Sequence, residues 1–488
     1  MSRKRTSFGM RWLRAVAIVI AVLAGIGLWK RPDDALRVAT ASVSHALCSG
    51  VFVSGLAPDR VYAENVAADR GLALLLPGLR YSVDRVNRRI GTEWHGAFSS
   101  VSTYYPAYGC ALAGQEPDAN TLQAARDAAG PAETEAVVAA ADAKIREALA
   151  RAFAEPATGP RRNVHAIVVL HDGTLVAEQY ADGFGPDTPQ LGYSVSKSIV
   201  HALVGILVGQ GRLDIHAAAP VPEWKDPADP RHRITLDDLM RMTSGLALTE
   251  DDSGFDPVSI MLFRMRDMAS YAAHARLRAQ PGRTWEYSSG NTLIVAGVVR
   301  DTIGDGAAGL IRFAHTELFD PIGMHHVLME FDGAQTLIGS TRIYASARDW
   351  ARFGQLYLDG GIAKDRRILP QGWDGYAGSP TLESPYGAGF WTNVRTAADT
   401  HDRIEGMPPG AYFASGKDGQ RIVIVPSKRL VIVRLGATVD PPNFDIRGLV
   451  RLVADVSAAL DQGAEKPAAT PTQKALRSHT AVASSAAP

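Results

Sequence analysis

An α+β architecture, with an antiparallel central sheet flanked by helices, a helical subdomain alongside and a small accessory segment in front, follows from three features of the sequence. Residues 164–170 read Val-His-Ala-Ile-Val-Val-Leu, meet Asp172-Gly173 and continue as a strand pattern to Tyr180, which is a hairpin signature. Strand patterns return only near the other end, at 411–413, 421–425 and 430–435. Between them, from Ser194 to about Met324, the texture is helical. The sheet is therefore assembled from the two ends of this region, with terminal helices on one face. Because 164–170 is almost continuously apolar, that sheet is expected to be covered on both faces.

The elements follow in order. Arg3, Lys4, Arg5, Arg11 and Arg14 precede an uncharged apolar run, 15–29, closed by Lys30 and Arg31. This is the pattern of an export address, with 1–31 a membrane anchor or a signal sequence. As a helix the run spans ~22 Å, short for a ~30 Å hydrocarbon core, and flanking basic residues would have to snorkel. More basic residues precede the run than follow it, so the body is expected outside the cytoplasm, anchored in the inner membrane or secreted after cleavage. Residues 32–125 form the accessory segment: Val51-Phe52-Val53 is strand-like, 81–94 and 97–105 are β-rich, and 118–130 reads as a linker. The main domain, 126–461, opens on a helix at 133–153 and closes on one at 445–460. The tail, 462–488, is rich in Ala, Thr, Ser and Pro and reads as disordered.

Composition excludes several classes. Lys+Arg and Asp+Glu both number 51, and no basic stripe carries interleaved aromatics, so a nucleic-acid partner is not expected. The two cysteines, Cys48 and Cys110, bracket the accessory segment and are a disulfide candidate in an oxidising compartment. Neither has a partner at metal-ligand spacing, and no metal or cofactor is expected. H-E-x-x-H, G-x-S-x-G and P-loop motifs are absent.

The chemistry centres on Gly192-Tyr193-Ser194-Val195-Ser196-Lys197. Ser-x-x-Lys places a hydroxyl and an amine on one helical face. Starting after a loop, the helix offers free N–H groups and its positive dipole end to an oxyanion near Ser194. The same field and partial burial would lower the pKa of Lys197 toward that of a working base. Such a string arises by chance in a chain this long, so its company matters. That company is Thr243-Ser244-Gly245-Leu246, then Trp285-Glu286-Tyr287-Ser288-Ser289, then Phe413-Ala414-Ser415-Gly416-Lys417 leading into a strand. Thr243-Ser244-Gly245 reads as a helix-ending turn, His325-His326 as surface histidines, and Glu250-Asp251-Asp252 as a solvated acidic turn or a site for a substrate amine.

This ordered set resembles the serine β-lactamase and penicillin-binding protein superfamily, in the class C branch with 6-aminohexanoate-dimer hydrolases, D-aminopeptidases and family VIII esterases. The resemblance covers about 133–460 and implies a β-lactamase/transpeptidase-like fold. It also implies catalytic roles for Ser194, Lys197 and Tyr287, and substrate or oxyanion contacts at Ser289, Ser415, Gly416 and Lys417. Two departures stand out: Ser289 replaces the Asn of Tyr-x-Asn, and Ala414-Ser415-Gly416 lacks the leading cation of Lys/His-Thr-Gly. The expected protein is an exported serine hydrolase acting on a small ester, amide or peptide. The alternatives are a D-alanyl carboxypeptidase or β-lactamase, and a catalytically silent homologue binding cell-wall fragments. The sequence does not set the oligomeric state.

Overall fold

The computed structural model describes residues 32–129, 136–393, 404–438 and 444–465. The apolar run at 15–29 and the tail beyond 465 lie outside the described residues. The central sheet has six antiparallel strands in the order Trp391–Thr392, Tyr412–Ser415, Arg421–Val425, Leu430–Gly436, Val164–His171, Thr174–Tyr180. Strands from the two ends of the domain meet where Leu430–Gly436 pairs with Val164–His171. The turn between the first two strands falls at Asp172-Gly173, both at positive φ (48° and 74°), as the hairpin reading requires.

Alternation explains why these strands look apolar throughout. Ile167, Val169, Val423 and Ile432 face the terminal helices Ala143–Phe153 and Ile446–Glu465, packing on Ile145, Leu149, Leu452 and Val456. Their neighbours Ala166, Val168, Ile422 and Val431 face the other way, toward the helix Ala347–Leu358 and its Trp350 and Phe353. With both faces covered, no position along Val164–Leu170 is exposed. The helical subdomain lies beyond that second layer and carries the helices Ser196–Gly209 and Ser289–Ile303.

The accessory segment folds around its own small core. The helix Pro32–Cys48 lies across a four-stranded meander, Leu79–Asp84, Arg89–Trp94, Phe98–Tyr105 and Gly109–Leu112. Val43, Leu47, Val51, Ile90 and the bonded pair Cys48–Cys110 fill its centre. The helical stretch Asp33–Val53 is long and apolar enough to cross a membrane, but 56% of its apolar window is buried inside the protein.

Three expectations are corrected. Val51-Phe52-Val53 is not a strand but part of the helical turn Ser49–Val53, which prolongs the preceding helix. Residues 118–130 do not form a bare linker. Asp118 caps the helix Ala119–Ala128, which packs on Gly306–Ala314. The helix expected from 133 starts only at Ala143, because Asp142 accepts from the Lys144 and Ile145 amides and caps it there. Just upstream, the Val138 carbonyl accepts from the Glu178 amide and the Val138 amide donates to the Glu178 carboxylate, so it runs beside the sheet instead of winding.

The disulfide closes a loop with a sequence separation of 62, worth about 4 kcal/mol in the chain-entropy account. Cys48→Ser/Cys110→Ser should lower unfolding free energy by up to that amount. Denaturant titration of the double variant against wild type measures it, and equal midpoints would show that the bond carries no stability.

Candidate active site

Ser194 sits in the single turn Tyr193–Val195 that runs into the helix Ser196–Gly209. The turn is pinned from both sides. Gln190–Leu191 pairs with Ala345 and Tyr344, the Gly192 amide donates to the Ile343 carbonyl at 2.9 Å, and the Ile343 amide donates to Ser196 Oγ at 3.1 Å. From the opposite side comes the end of the Tyr412–Ser415 strand. A Cβ on Gly416 would lie 2.3 Å from the Gly192 carbonyl, so only glycine lets this strand tip seat against the turn that carries Ser194. Ser194 itself remains partly exposed.

Lys197, one helical turn on, is 3% exposed. Its Nζ reaches Ser194 Oγ at 3.0 Å, Ser289 Oγ at 3.1 Å and the Ser340 carbonyl at 2.9 Å, and lies 4.8 Å from the centre of the Tyr287 ring. Burial brings its pKa down to about 8, against the opposing charges of Glu250 and Asp252. Burial drives the Tyr287 phenol in the other direction, well above its ordinary value; Glu250 adds to this and a Ser194 hydrogen bond works against it. Around neutrality the site thus pairs an amine near its titration point with a phenol that keeps its proton. Trp391 stacks on Tyr287 at 5.6 Å and Tyr386 meets it edge-on at 5.6 Å, with Trp285 completing an aromatic wall.

The four expected contact residues are not equivalent. Ser289 is buried, and both its hydroxyl (2.9 Å) and its amide donate to Glu250 at the start of the helix Ser289–Ile303. Ser415 stands partly exposed at the strand end opposite Arg421. The Gly416 amide donates to the Gln420 carbonyl at 2.9 Å. Lys417 lies between two carboxylates, Asp252 at 3.2 Å and Asp69 of the accessory unit at 3.8 Å. Burial opposes its charge, but Asp252, Asp418 and Asp69 hold its pKa above the ordinary lysine value.

Sequence reasoning did not single out the Ser340 carbonyl, the aromatic pair Tyr386 and Trp391, or the reach of Asn65 and Asp69 into this rim. A backbone carbonyl carries no residue signal, and the accessory contacts are tertiary. Glu250, read as part of a solvated turn, is instead the acceptor that holds Ser289. His326 is partly buried against Asp349, whose hydrogen bond raises its pKa, so the surface reading holds poorly for it. Among the described residues, no three His, Cys, Asp or Glu side chains group so as to hold a metal ion.

A hydroxyl beside a depressed-pKa amine, at a helix start and under a strand tip, is the kind of arrangement that acyl transfer uses. The model of the Beta-lactamase family matches residues 145–458, and the chain belongs to that family. Membership makes it a serine hydrolase. It is 27% identical over 312 residues to the 6-aminohexanoate-dimer hydrolase of Paenarthrobacter ureafaciens, covering 61% of this chain and 78% of that protein. Its fold matches the Bacillus anthracis protein assigned as a 6-aminohexanoate-dimer hydrolase, with a TM-score of 0.54 and 21% identity over 68% of this chain and 90% of that one. A family VIII carboxylesterase matches with a TM-score of 0.52 and 16% identity over 67% of this chain and 100% of that one.

Any reaction that uses Lys197 as base should gain kcat/KM as pH rises through about 8, where the amine loses its proton. Glu250 is a negative charge that favours the ammonium, so Glu250→Gln should move this midpoint to lower pH. A pH–rate profile of the variant that stays in place or moves upward would contradict this electrostatic account.

Proposed function

We propose that the protein is an exported serine hydrolase that cleaves neutral esters or linear amides through an acyl-enzyme on Ser194. The observation that carries the proposal is the 3.0 Å contact between Lys197 Nζ and Ser194 Oγ, within a buried setting that depresses the amine to about 8. Neutral Lys197 takes the Ser194 proton as Oγ bonds to the substrate carbonyl carbon. The Ser194 amide and a strand amide near Ser415–Lys417 receive the carbonyl oxygen as it becomes negative. The Lys197 proton then reaches the leaving alkoxide or amine through Tyr287, whose phenol stays neutral and so can donate as it accepts. Water, deprotonated along the same path, releases the acid and frees Ser194.

The substrate class follows from charge. Relatives of this superfamily that take β-lactams or D-peptides bind a substrate carboxylate with the Lys/His of the final strand motif. Here the charge of Lys417, next to that motif, is matched by Asp252 and Asp69, and Arg421 turns its guanidinium to the Gly416 and Gln420 carbonyls at 2.7 Å each. Ser289, where an Asn would hold an acyl amide, is engaged by Lys197 and Glu250. The partly exposed Trp285 and Trp391, packed on the buried Tyr386, supply apolar surface in their place. The names of the relatives, a dimer hydrolase and a carboxylesterase, accord with a linear amide or ester. Export is supported by the basic-then-apolar N-terminal pattern and by the Cys48–Cys110 bond, which persists in oxidising compartments.

A fluorophosphonate probe should label the wild type and not Ser194→Ala; label retained in the variant would point to another nucleophile. Lys197→Ala and Tyr287→Phe should each remove most of the rate, and together little more than the worse one, as members of one proton path. Loss of a charge-assisted carboxylate contact is worth ~1.5–3 kcal/mol, about one to two decades. A short-chain p-nitrophenyl ester should therefore exceed nitrocefin in kcat/KM by at least about a decade on the same preparation. Nitrocefin ahead by that margin would make the protein a β-lactamase in the ordinary sense.

A further inference from the structure

We propose that the accessory unit is a working part of the catalytic machinery: it positions Lys197, and Glu330 and Tyr344 are the residues through which it does so. The inference rests on the reading of Lys197 as base.

The segment from Glu330 to Ala345 has two sets of contacts. Toward the chemistry, the Ser340 carbonyl accepts from Lys197 Nζ at 2.9 Å, and Ile343 holds the nucleophile turn through the Gly192 amide and Ser196 Oγ. Away from it, neighbouring residues of the same segment are gripped by the accessory unit. His45 Nε2 meets Glu330 Oε2 at 2.6 Å and the Cys110 amide donates to Glu330 Oε1 at 2.7 Å. Ser49 Oγ and Tyr344 OH share a hydrogen bond of 2.7 Å. Arg342 Nη1 donates to Gln115 Oε1 at 3.0 Å, and Tyr108 OH donates to the Phe331 carbonyl and accepts from the Phe331 amide. Glu330 and Tyr344 are both 0% exposed and Arg342 is 2% exposed.

Three points raise this above ordinary domain packing. The contacts are polar and buried, and a scaffold contact could be apolar at less cost; buried ionic groups are expensive unless they define a position. Their fit is close: a Cβ on Gly109, at φ 117°, would lie 2.6 Å from Glu330 Oε1, so the strand approaches the carboxylate as only glycine can. The two ends of the disulfide sit at the two grips, since Cys110 itself donates to Glu330 and Cys48 precedes Ser49. The accessory unit also reaches the other flank of the nucleophile turn, where Asn65 donates to Asp418 at 3.5 Å and Asp69 faces Lys417. Ser194 and Lys197 thus lie between two elements that the accessory unit holds.

Glu330→Gln removes the carboxylate charge and one accepting oxygen, so the Cys110 and His45 contacts survive together only if His45 Nε2 acts as acceptor to the new NH2 group. Tyr344→Phe removes only the hydroxyl and keeps the ring. Both are assayed in the full chain, with rates divided by the Ser194 sites that fluorophosphonate titrates, so that loss of folded protein does not enter. The expected result is a fall in kcat of about 10- to 100-fold with KM nearly unchanged, the size of effect that sub-ångström to ångström misplacement of a catalytic group produces. The pH midpoint of kcat/KM should move as well, because the Ser340 carbonyl is an acceptor for the ammonium, alongside the charges of Glu250 and Asp252 and the face of Tyr287. Tyr81→Phe, which breaks an exposed accessory contact with Asp59, should change neither quantity. If Glu330→Gln does not fold, Tyr344→Phe decides. Wild-type kcat per titrated site together with a wild-type pH midpoint would overturn the inference and leave the accessory unit a scaffold. Failure of the underlying catalytic reading has a different signature, namely full activity in Lys197→Ala.

Discussion

Three acceptors converge on one buried amine: the hydroxyl oxygens of Ser194 and Ser289 and the carbonyl of Ser340. An ammonium removed from water needs all of its protons engaged, or it gives one up. Here the engagement is complete and burial still brings the amine down from its ordinary 10.5 to about 8. The balance is therefore fine, and each acceptor is itself held by something else. Ser194 depends on the turn seated under Gly416, Ser289 on Glu250, and Ser340 on the segment gripped by the accessory unit.

The site also separates two tasks that many acid–base pairs share. Burial acts on Lys197 and Tyr287 with opposite sign because one is charged when protonated and the other when deprotonated. A single apolar pocket therefore makes the amine easier to empty and the phenol harder to empty. The rings of Trp391 and Tyr386 packed around Tyr287 contribute to that burial.

Much of this was legible in the sequence, for identifiable reasons. The hairpin at Asp172-Gly173 and the strands at 421–425 and 430–436 are short, near-continuous apolar runs bounded by turn residues, so local chemistry dictates them. Ser194 and Lys197 were legible because a helix brings them together by spacing alone. Tyr287 was not legible from spacing; its place followed from the resemblance of its motif. What escaped were features made by tertiary contact: the Ser340 carbonyl, the Glu250–Ser289 pair and the entry of Asp69 to the rim. The helix boundary at Ala143 was misread because alanine-rich sequence favours helix, while Asp142 capping and the pairing of Val138 with Glu178 decided the local structure.

The meeting of Leu430–Gly436 with Val164–His171 has a consequence for how the chain reaches this state. The central strand of the sheet emerges early in synthesis and waits for its partner until the whole helical subdomain has been made. Until then a strand of Val, Ile and Leu has an open edge and an uncovered face, the condition under which chains associate wrongly. The four-stranded meander of the accessory unit has the opposite character, since its strands pair neighbour with neighbour. Low contact order lets such a meander pair quickly, well before the central sheet can close.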